Sequence, residues 1–175
     1  MLNSYDDYYD AIAKGYDELY GREQLQKLKH IEYCISKYHE LNEFMNPGYK
    51  LLDVGCGSGI STQYFNVKDR IGIDPSNVLV QIAIDKYPNT KFLVCPAERM
   101  PFLKKEFDIV ISLTAIQNFY DIEQGLTKIK NAGHRYILAF LKRSDKKGII
   151  EGLIEKNFHV IKRFEEEKDI IYFCK

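Results

Sequence analysis

The sequence predicts an α/β fold: a seven-stranded, mostly parallel β-sheet with helices on both faces and an antiparallel hairpin at the C-terminal end. Short aliphatic segments alternate with helical segments of about ten residues, the pattern of a parallel sheet that is covered on both sides. The last two strand segments are joined only by EEEK. That connection is too short for a crossover helix, so these two strands must be antiparallel.

The apolar spacing predicts the elements in order. From about Tyr8 to His39 apolar residues recur at mostly helical spacing, with Gly15 and Gly21 as breaks, which predicts a helical segment. After the turn NPGYK, the chain is a series of strand and helix segments: KLLDV with a helix from Ile60, RIGID with SNVLVQIAIDKY, TKFLV with the short ERMPFLKKE, FDIVISL with DIEQGLTKIKNA, RYILAFL with KKGIIEGLIEKN, and finally the strands FHVIKRF and DIIYFCK.

Length and charge limit the function classes. The chain has 175 residues, 45% of them hydrophobic, which is enough for one core and predicts a single domain over 1–175, with a helical segment at 1–45 and a core at 46–175. Its 25 basic and 25 acidic side chains cancel, so no overall field attracts nucleic acid or an anionic membrane. The N-terminal MLNSYDDYYD is acidic, unlike a signal peptide, and no run approaches the ~20 apolar residues of a membrane span.

These features predict a cytoplasmic protein without a membrane partner. The cysteines and histidines are scattered, with no C-x-x-C pair and no ligand spacing between them, so we expect no metal site. They are Cys34, Cys56, Cys95, Cys174, His30, His39, His134 and His159.

The stretch LLDVGCGSGIS contains the strongest functional signal. In an open parallel sheet, ligands bind at the carboxyl ends of the strands where the strand order reverses, so the loop after the first strand of the core is the expected site. A dinucleotide fingerprint requires G-x-G-x-x-G, whereas this loop has Gly55, Gly57 and Gly59, with Ile60 at the place of the third fingerprint glycine. The spacing therefore disfavours a dinucleotide.

Two carboxylates point to a ligand without phosphate. Asp53 precedes the loop, where it would repel a diphosphate and attract a cationic ammonium directly or through water. Asp74 ends the second strand, about where a carboxylate accepts hydrogen bonds from both ribose hydroxyls. A ligand with an amino-acid head and a ribose fits both carboxylates, and S-adenosyl-L-methionine is such a ligand.

With these residues in view, nearly the whole chain resembles the class I S-adenosylmethionine-dependent methyltransferases, which have a Rossmann-like fold. LLDVGCGSG is similar to their cofactor motif, IGIDPS to the ribose-binding strand end, CPAERMPF to the adenine loop and FDIVISLTAIQNF to the fourth-strand motif. The N-terminal YYDAIAKGYDELYG resembles the segment that precedes the core in the subgroup containing ubiquinone-type, tRNA and rRNA enzymes.

The resemblance implies a set of cofactor-binding residues. The methionine part would be lined from the glycine loop, the ribose and adenine bound from the second-strand end and the adenine loop, and the sulfonium placed over the end of the fourth strand. An aromatic lid at the N-terminus would close over the site. The implied residues are Asp53, Gly55, Cys56, Gly57, Asp74, Pro75, Ser76, Ala97, Glu98 and Leu113, with Tyr9 and Tyr16 from the lid.

One position departs from the family pattern. Many relatives have an aspartate in the adenine loop that accepts a hydrogen bond from the adenine amine, and this chain has Pro96 there. The bond must then be absent or supplied by Glu98.

The segment after the fourth strand predicts the type of chemistry. TAIQNFYD contains no His, Lys, Glu or Cys, and its acid, Asp121, is expected to start the next helix, which favours nitrogen nucleophiles over base-driven O-methylation. Gln117 and Asn118 could read a base edge, with Phe119, Tyr120 or the lid tyrosines stacking on a flat substrate. Alternatively, the polar pair caps the helix and the aromatic residues pack in the core. The candidate catalytic residues are Thr114, Gln117, Asn118 and Tyr16.

The leading sequence-based hypothesis is methylation of a nitrogen of a tRNA or rRNA base. ISLTAIQNF is similar to the motif of an rRNA guanine-N7 methyltransferase that works with a small zinc-binding activator, which implies an activator partner. Lys142 and Arg143 could form a phosphate-binding edge, although the neutral net charge counts against RNA. The alternatives are methylation of a small metabolite and a non-catalytic module that binds cofactor or a partner.

Overall fold

The computed structural model describes residues 15 and 17–175 of the chain. A π-helical turn at Asp17–Gly21 leads into helix α1, Arg22–Lys37, and a 3-10 segment at His39–Phe44 completes the N-terminal part. The predicted lid residues Tyr9 and Tyr16 lie outside the described residues.

The core contains the seven predicted strands. They are β1 Lys50–Val54, β2 Asp69–Asp74, β3 Lys91–Val94, β4 Phe107–Leu113, β5 Gly133–Leu141, β6 Val160–Glu165 and β7 Asp169–Cys174. The helices between them are α2 Ile60–Tyr64, α3 Asn77–Lys86, α4 Ile122–Ala132 and α5 Lys147–Asn157.

The strands form one sheet in the order β3-β2-β1-β4-β5-β7-β6. The pairs β1–β2, β1–β4, β2–β3 and β4–β5 are parallel, whereas β7 is antiparallel to both β5 and β6. The predicted fold class is therefore confirmed, including the C-terminal antiparallel hairpin. The chain runs outward from β1 to β3 and then returns to place β4 on the other side of β1, so the strand order reverses between β1 and β4.

Successive residues of the central strands enter different cores. On β1, Leu51 belongs to a cluster that contains Leu28 and Ile31 of α1, whereas Leu52 belongs to the cluster that contains Leu126 of α4 and Ile150 of α5. All six side chains are fully buried. This placement follows from the two-residue period of a strand, which sends neighbouring side chains to opposite faces.

The expectation of a helical segment at ERMPFLKKE is wrong. The structure has a single 3-10 turn at Ala97–Arg99, followed by irregular chain up to β4. Pro101 lacks a backbone donor and disfavours helical geometry at the residue before it. Met100 accordingly has φ −56° and ψ 133°, an extended conformation that ends the turn.

No helix in the described part of the chain combines the length and apolarity that a bilayer crossing requires.

Gly125 of α4 is in contact with Phe119, and a Cβ at this glycine would lie 2.5 Å from the ring. We expect Gly125→Ala to lower the free energy of unfolding by about 1–3 kcal/mol, because this overlap outweighs the gain in helix propensity. Gly152→Ala is the matched control, since a Cβ on this exposed position of α5 would meet nothing within 4 Å. It should stabilise the protein by about 0.5–1 kcal/mol. Urea unfolding of both variants measures the difference, and equal shifts would contradict the proposed overlap.

Candidate functional site

A pocket lies at the carboxyl ends of the strands where their order reverses. Its walls come from the loops after β1, β2, β3 and β4, as expected for a site at a topological switch point. The lining residues are Val54, Gly55, Asp74, Pro75, Leu79, Cys95, Pro96, Ala97, Glu98, Leu113, Thr114, Ala115, Asn118, Phe119 and Tyr120. Six of the predicted cofactor residues are therefore in the wall, together with the candidate catalytic residues Thr114 and Asn118.

The glycine loop crosses over the end of β2. Gly55 and Gly57 have φ of 79° and 51°, a left-handed region that favours glycine. The backbone N–H groups of Gly55 and Cys56 both donate to the carbonyl of Ile73, at 2.8 and 3.0 Å. A Cβ on Gly55 would collide with the Cβ of Ala115, so glycine at this position lets the β1 loop and the chain after β4 approach closely beside the pocket.

Asp74 links the glycine loop to the turn after β2. One carboxylate oxygen accepts a hydrogen bond from the backbone N–H of Gly57 at 2.9 Å, and the other accepts one from the N–H of Ser76 at 2.9 Å. The Ser76 hydroxyl in turn caps α3 by accepting from the N–H of Leu79. Asp74 is thus held rigidly in the wall, whereas the side chain of Ser76 is committed to the helix.

Asp53 lies beneath the glycine loop and is not part of the pocket wall. It is fully buried, and one carboxylate oxygen accepts hydrogen bonds from the hydroxyls of Ser61 and Thr62 at 2.6 and 2.7 Å. The other oxygen has no hydrogen-bond partner among the described residues. Burial raises the pKa of Asp53 to about 6, although the two hydroxyls oppose the shift.

Cys56 belongs to the glycine loop, and its side chain is buried against Val80, Ala83 and Phe92. Burial raises the pKa of its thiol well above the usual value, and the Asp74 and Asp53 carboxylates add to that effect. The thiol is therefore a protonated packing group at neutral pH. The assignment of Asp53, Cys56 and Gly57 to the methionine part of the cofactor stays a prediction.

Glu98, in the pocket wall, has a carboxylate oxygen without a hydrogen-bond partner among the described residues. That oxygen is buried, while the other one accepts from the backbone N–H of Asp121 at 3.0 Å. Such an orphaned acceptor suits the amine of an adenine, and it lies beside Pro96, where the family's usual aspartate is missing. The residues of this pocket therefore fit S-adenosylmethionine.

Thr114 is held by its backbone and its side chain. Its φ is +66°, which is unusual for a β-branched residue. Its backbone N–H donates to the carbonyl of Ala139 at 2.8 Å, and its carbonyl accepts from the amide nitrogen of Gln117 at 2.7 Å. The Lys27 ammonium donates to its hydroxyl and forms a 3.0 Å ion pair with Asp169, and both charged side chains are less than one-tenth exposed.

Lys27 and Asp169 were not predicted from the sequence. Lys27 is on α1 and Asp169 begins β7, and only the fold brings them to the end of β4. A signal was present for Lys27, which lies beside Leu28 on the face of α1 that also carries Ile31 and Cys34. A lysine adjoining the apolar face of a helix is uncommon unless it is paired. No local pattern marks Asp169.

A second cavity, of about 540 Å³, adjoins the pocket and shares Thr114 with it. Gln117 lines this cavity and not the cofactor pocket, and its amide oxygen is buried without a partner among the described residues. The other lining residues are Tyr20, Glu23, Gln24, Leu141, Lys142, Arg143, Glu167 and Lys168. Phe119 and Tyr120 lie in the cofactor pocket, so among the described residues the aromatic contact to a substrate in this cavity would come from Tyr20.

Comparison with known proteins agrees with this site. Residues 52–134 match the family model described as a methyltransferase domain. A ubiquinone/menaquinone biosynthesis C-methyltransferase of Campylobacter jejuni is 24% identical over 160 residues, which cover 81% of this chain and 65% of that protein. The chain spans about three fifths of the length of the curated relatives it matches.

Two solved structures share the fold over nearly the whole chain. The magnesium protoporphyrin IX methyltransferase of Synechocystis, solved with bound S-adenosylmethionine, has a TM-score of 0.75 at 15% identity and covers 99% of this chain and 97% of its own. A Haloferax volcanii methyltransferase, solved in complex with the Trm112 methyltransferase activator, has a TM-score of 0.72 at 16% identity and covers 99% and 98%.

The buried carboxylate of Asp53 predicts a pH effect on stability. Its pKa of about 6 in the folded protein exceeds the ordinary value of about 4, so the stability that this group contributes is fully present below about pH 4 and is lost as the pH rises through 6. Relative to Asp53→Asn, the wild type should lose roughly 2–3 kcal/mol between pH 4 and pH 8. Urea unfolding of both proteins across this range measures the difference, and parallel pH profiles would contradict the raised pKa.

The open oxygen of Glu98 predicts a change in base preference. In Glu98→Gln the remaining oxygen can still accept from Asp121, so an amide NH₂ would face the adenine amine. Affinity for S-adenosylhomocysteine should fall by about 1.5–3 kcal/mol, since a charge-assisted hydrogen bond is lost. S-inosylhomocysteine presents a carbonyl at the same place and should bind the variant more tightly than it binds the wild type. Calorimetry with both ligands tests this, and equal losses for the two would exclude Glu98 as the base contact.

The chain contains a methyltransferase domain, matched over residues 52–134, and its reversal-point pocket with an orphaned acceptor that suits an adenine amine fits S-adenosylmethionine.

Proposed function

We propose that this enzyme methylates a small organic acceptor held in the 540 Å³ cavity beside Thr114. The observation that carries the proposal is the shared wall: Thr114 lines both the cofactor pocket and the cavity, so a molecule in the cavity lies next to the place where the methyl group is expected. The sulfonium of the bound cofactor supplies an electrophilic methyl group, and the residues of the chain align the acceptor with it.

The cavity has a size and polarity suited to a small molecule with polar substituents. Its volume is within the range of ordinary ligand sites. The buried amide oxygen of Gln117 can accept a hydrogen bond from an acceptor hydroxyl or amine. The similarity to a C-methyltransferase of quinone biosynthesis supports an acceptor of metabolite size.

The charges at the rim of the cavity support a small molecule as the methyl acceptor more than they support RNA. Lys142 forms a 2.6 Å ion pair with Glu165, and Lys168 forms a 2.7 Å ion pair with Glu23. These carboxylates offset the positive charges that a phosphate backbone would need. Arg143 is exposed on the same rim.

The second candidate is methylation of a nitrogen in an RNA base, together with a small activator subunit. The exposed Arg143 and the amides of Gln117 and Asn118 support it, as does the fold similarity to the Haloferax methyltransferase that was solved with its activator. Among the residues that the structure describes, the edge strand β3 pairs with β2 alone, and Val94 on it is 52% exposed. An activator that adds a strand at this edge would lie beside the adenine loop.

Transfer of labelled methyl groups distinguishes the two candidates. The purified enzyme is incubated with methyl-labelled S-adenosylmethionine and an extract of its host from which this gene has been deleted. We expect the label in the small-molecule fraction, where it survives nuclease and protease treatment. Nuclease-sensitive label would instead establish RNA as the acceptor, and the reaction would then be repeated with added activator.

Two substitutions make the assay specific for the cavity. Gln24→Trp should fill the cavity from α1, abolish transfer and leave calorimetric cofactor affinity unchanged. Arg143→Glu should weaken RNA methylation and make it less dependent on salt, whereas transfer to a neutral small acceptor should depend little on salt in both the variant and the wild type. Full transfer by Gln24→Trp would show that the acceptor binds elsewhere.

A further inference from the structure

We infer that Lys27 and Asp169 act on the acceptor through Thr114 as a proton relay, which makes the acceptor a molecule with an ionisable hydroxyl or an acidic carbon–hydrogen bond conjugated to one. The inference rests on the proposed function, because it places the acceptor in the cavity that Thr114 lines. It also differs from the expectation based on the sequence. The segment after β4 carries no base of its own and therefore favoured a nitrogen nucleophile, whereas Asp169 would supply a base from β7.

The first observation is that the Thr114 hydroxyl already has two hydrogen-bond partners within the protein. A threonine hydroxyl has one proton to donate and two lone pairs. The Lys27 ammonium donates to one lone pair, and the hydroxyl proton is directed at an Asp169 carboxylate oxygen, 3.5 Å away. One lone pair therefore remains, and Thr114 lines the cavity. This lone pair can accept a hydrogen bond from an acceptor O–H.

The second observation is the cost of the arrangement. The side chains of Lys27 and Asp169 are 3% and 8% exposed. Burying two charges costs several kcal/mol per ion, and an apolar pair of similar volume often serves stability as well. In addition, Thr114 is held at a positive φ by contacts from three elements. Strain of this kind is retained where it positions a group for chemistry.

The surroundings of Asp169 leave its carboxylate able to take a proton. Lys27 and Glu23 face it from α1, Thr114 from the end of β4, Glu167 and Lys168 from the adjoining turn, and Leu141 is its partner on β5. Burial raises the pKa of Asp169 above its usual value despite the attraction of Lys27, and the Glu23 carboxylate adds to the rise. A more basic carboxylate is a better proton acceptor near neutral pH.

The step balances with these groups alone. The acceptor O–H bond breaks and its proton passes to the Thr114 hydroxyl oxygen, while the proton of that hydroxyl passes to Asp169. The electron pair of the acceptor, on oxygen or on the conjugated carbon, forms the bond to the methyl group as the methyl–sulfur bond breaks and leaves its pair on sulfur. Where oxygen is methylated, Asp169 releases its proton to solvent. Where carbon is methylated, the carbon proton is lost afterwards to water, and Asp169 returns its proton through Thr114 to the acceptor oxygen. The Lys27 ammonium stays charged throughout.

The test uses the full chain with 1,4-dihydroxynaphthalene, kept reduced, as the probe acceptor. Thr114→Val keeps the branched shape and removes the hydroxyl, and Thr114→Ser restores it. At pH 7 we expect Thr114→Val and Asp169→Asn to lose about 10²–10⁴-fold in kcat, and this loss should shrink as rising pH ionises the probe without help. Thr114→Ser should stay within about fivefold of the wild type. Thr127→Val, at an exposed threonine of α4 bonded to Glu123, controls for general effects and should change nothing.

Two further measurements do not depend on turnover. Cofactor affinity by calorimetry should be unchanged in Thr114→Val. The carboxyl carbon of Asp169, followed by NMR in the cofactor-free protein, should titrate above the ordinary aspartate pKa, and Lys27→Met should move that pKa higher. An Asp169 that titrates below the ordinary pKa would overturn the relay.

The outcomes separate this inference from the proposed function. A loss of kcat in Thr114→Val that is the same at every pH would show that the pair only anchors α1 to the sheet, and would overturn the inference while the small-molecule function stands. Transfer by the wild type to other small molecules but not to hydroxylated arenes would also overturn it. Transfer to RNA alone would overturn the proposed function itself.

Discussion

The pairing of β4 with β1 is the constraint on which the rest of the site depends. β1 pairs with β2 on one side and with β4 on the other, all parallel, so the loops that follow these strands emerge at the same edge of the sheet. Because the chain runs away from β1 in opposite directions, its next elements diverge and leave a gap there. The glycine loop, Asp74 and Thr114 are on that edge because each directly follows or ends one of these three strands.

Local sequence was sufficient to predict the position of those pocket residues that lie within one turn of their own strand. The glycine loop must cross the end of β2 at positive φ. Glycine is the residue that adopts this conformation most easily, so the glycines in the sequence indicate the loop directly. Asp74 ends a strand whose aliphatic pattern is unambiguous. Conversely, ERMPFLKKE has helical composition, but Pro101 limits it to a single turn. The error arose where one residue's covalent geometry overrode the propensity of its neighbours.

The other half of the site is assembled over long sequence distances and could not be predicted from a motif. Lys27 reaches Thr114 because α1 packs its apolar face on the sheet, and Asp169 reaches Lys27 because β7 returns antiparallel beside β5. Apolar burial explains both the packing of α1 on the sheet and the pairing of β7 with β5. It does not determine which polar residues of these elements lie at the end of β4. The absence of a base in TAIQNFYD was a correct reading of that segment. It did not describe the site, since a carboxylate arrives from another strand.

The contacts that Thr114 makes hold it in one conformation and also leave its hydroxyl able to interact with an acceptor. Thr114 is fixed by a backbone bond to β5, by Gln117 and by a buried ion pair that joins α1 to β7. Removing either charge would leave the other buried and unpaired, which costs more than the pair contributes when intact. A pair that contributes little to stability but is costly to break acts mainly to select one conformation. Here the selected conformation turns the hydroxyl of Thr114 toward the pair and keeps its remaining lone pair available at the boundary between the cofactor pocket and the neighbouring cavity.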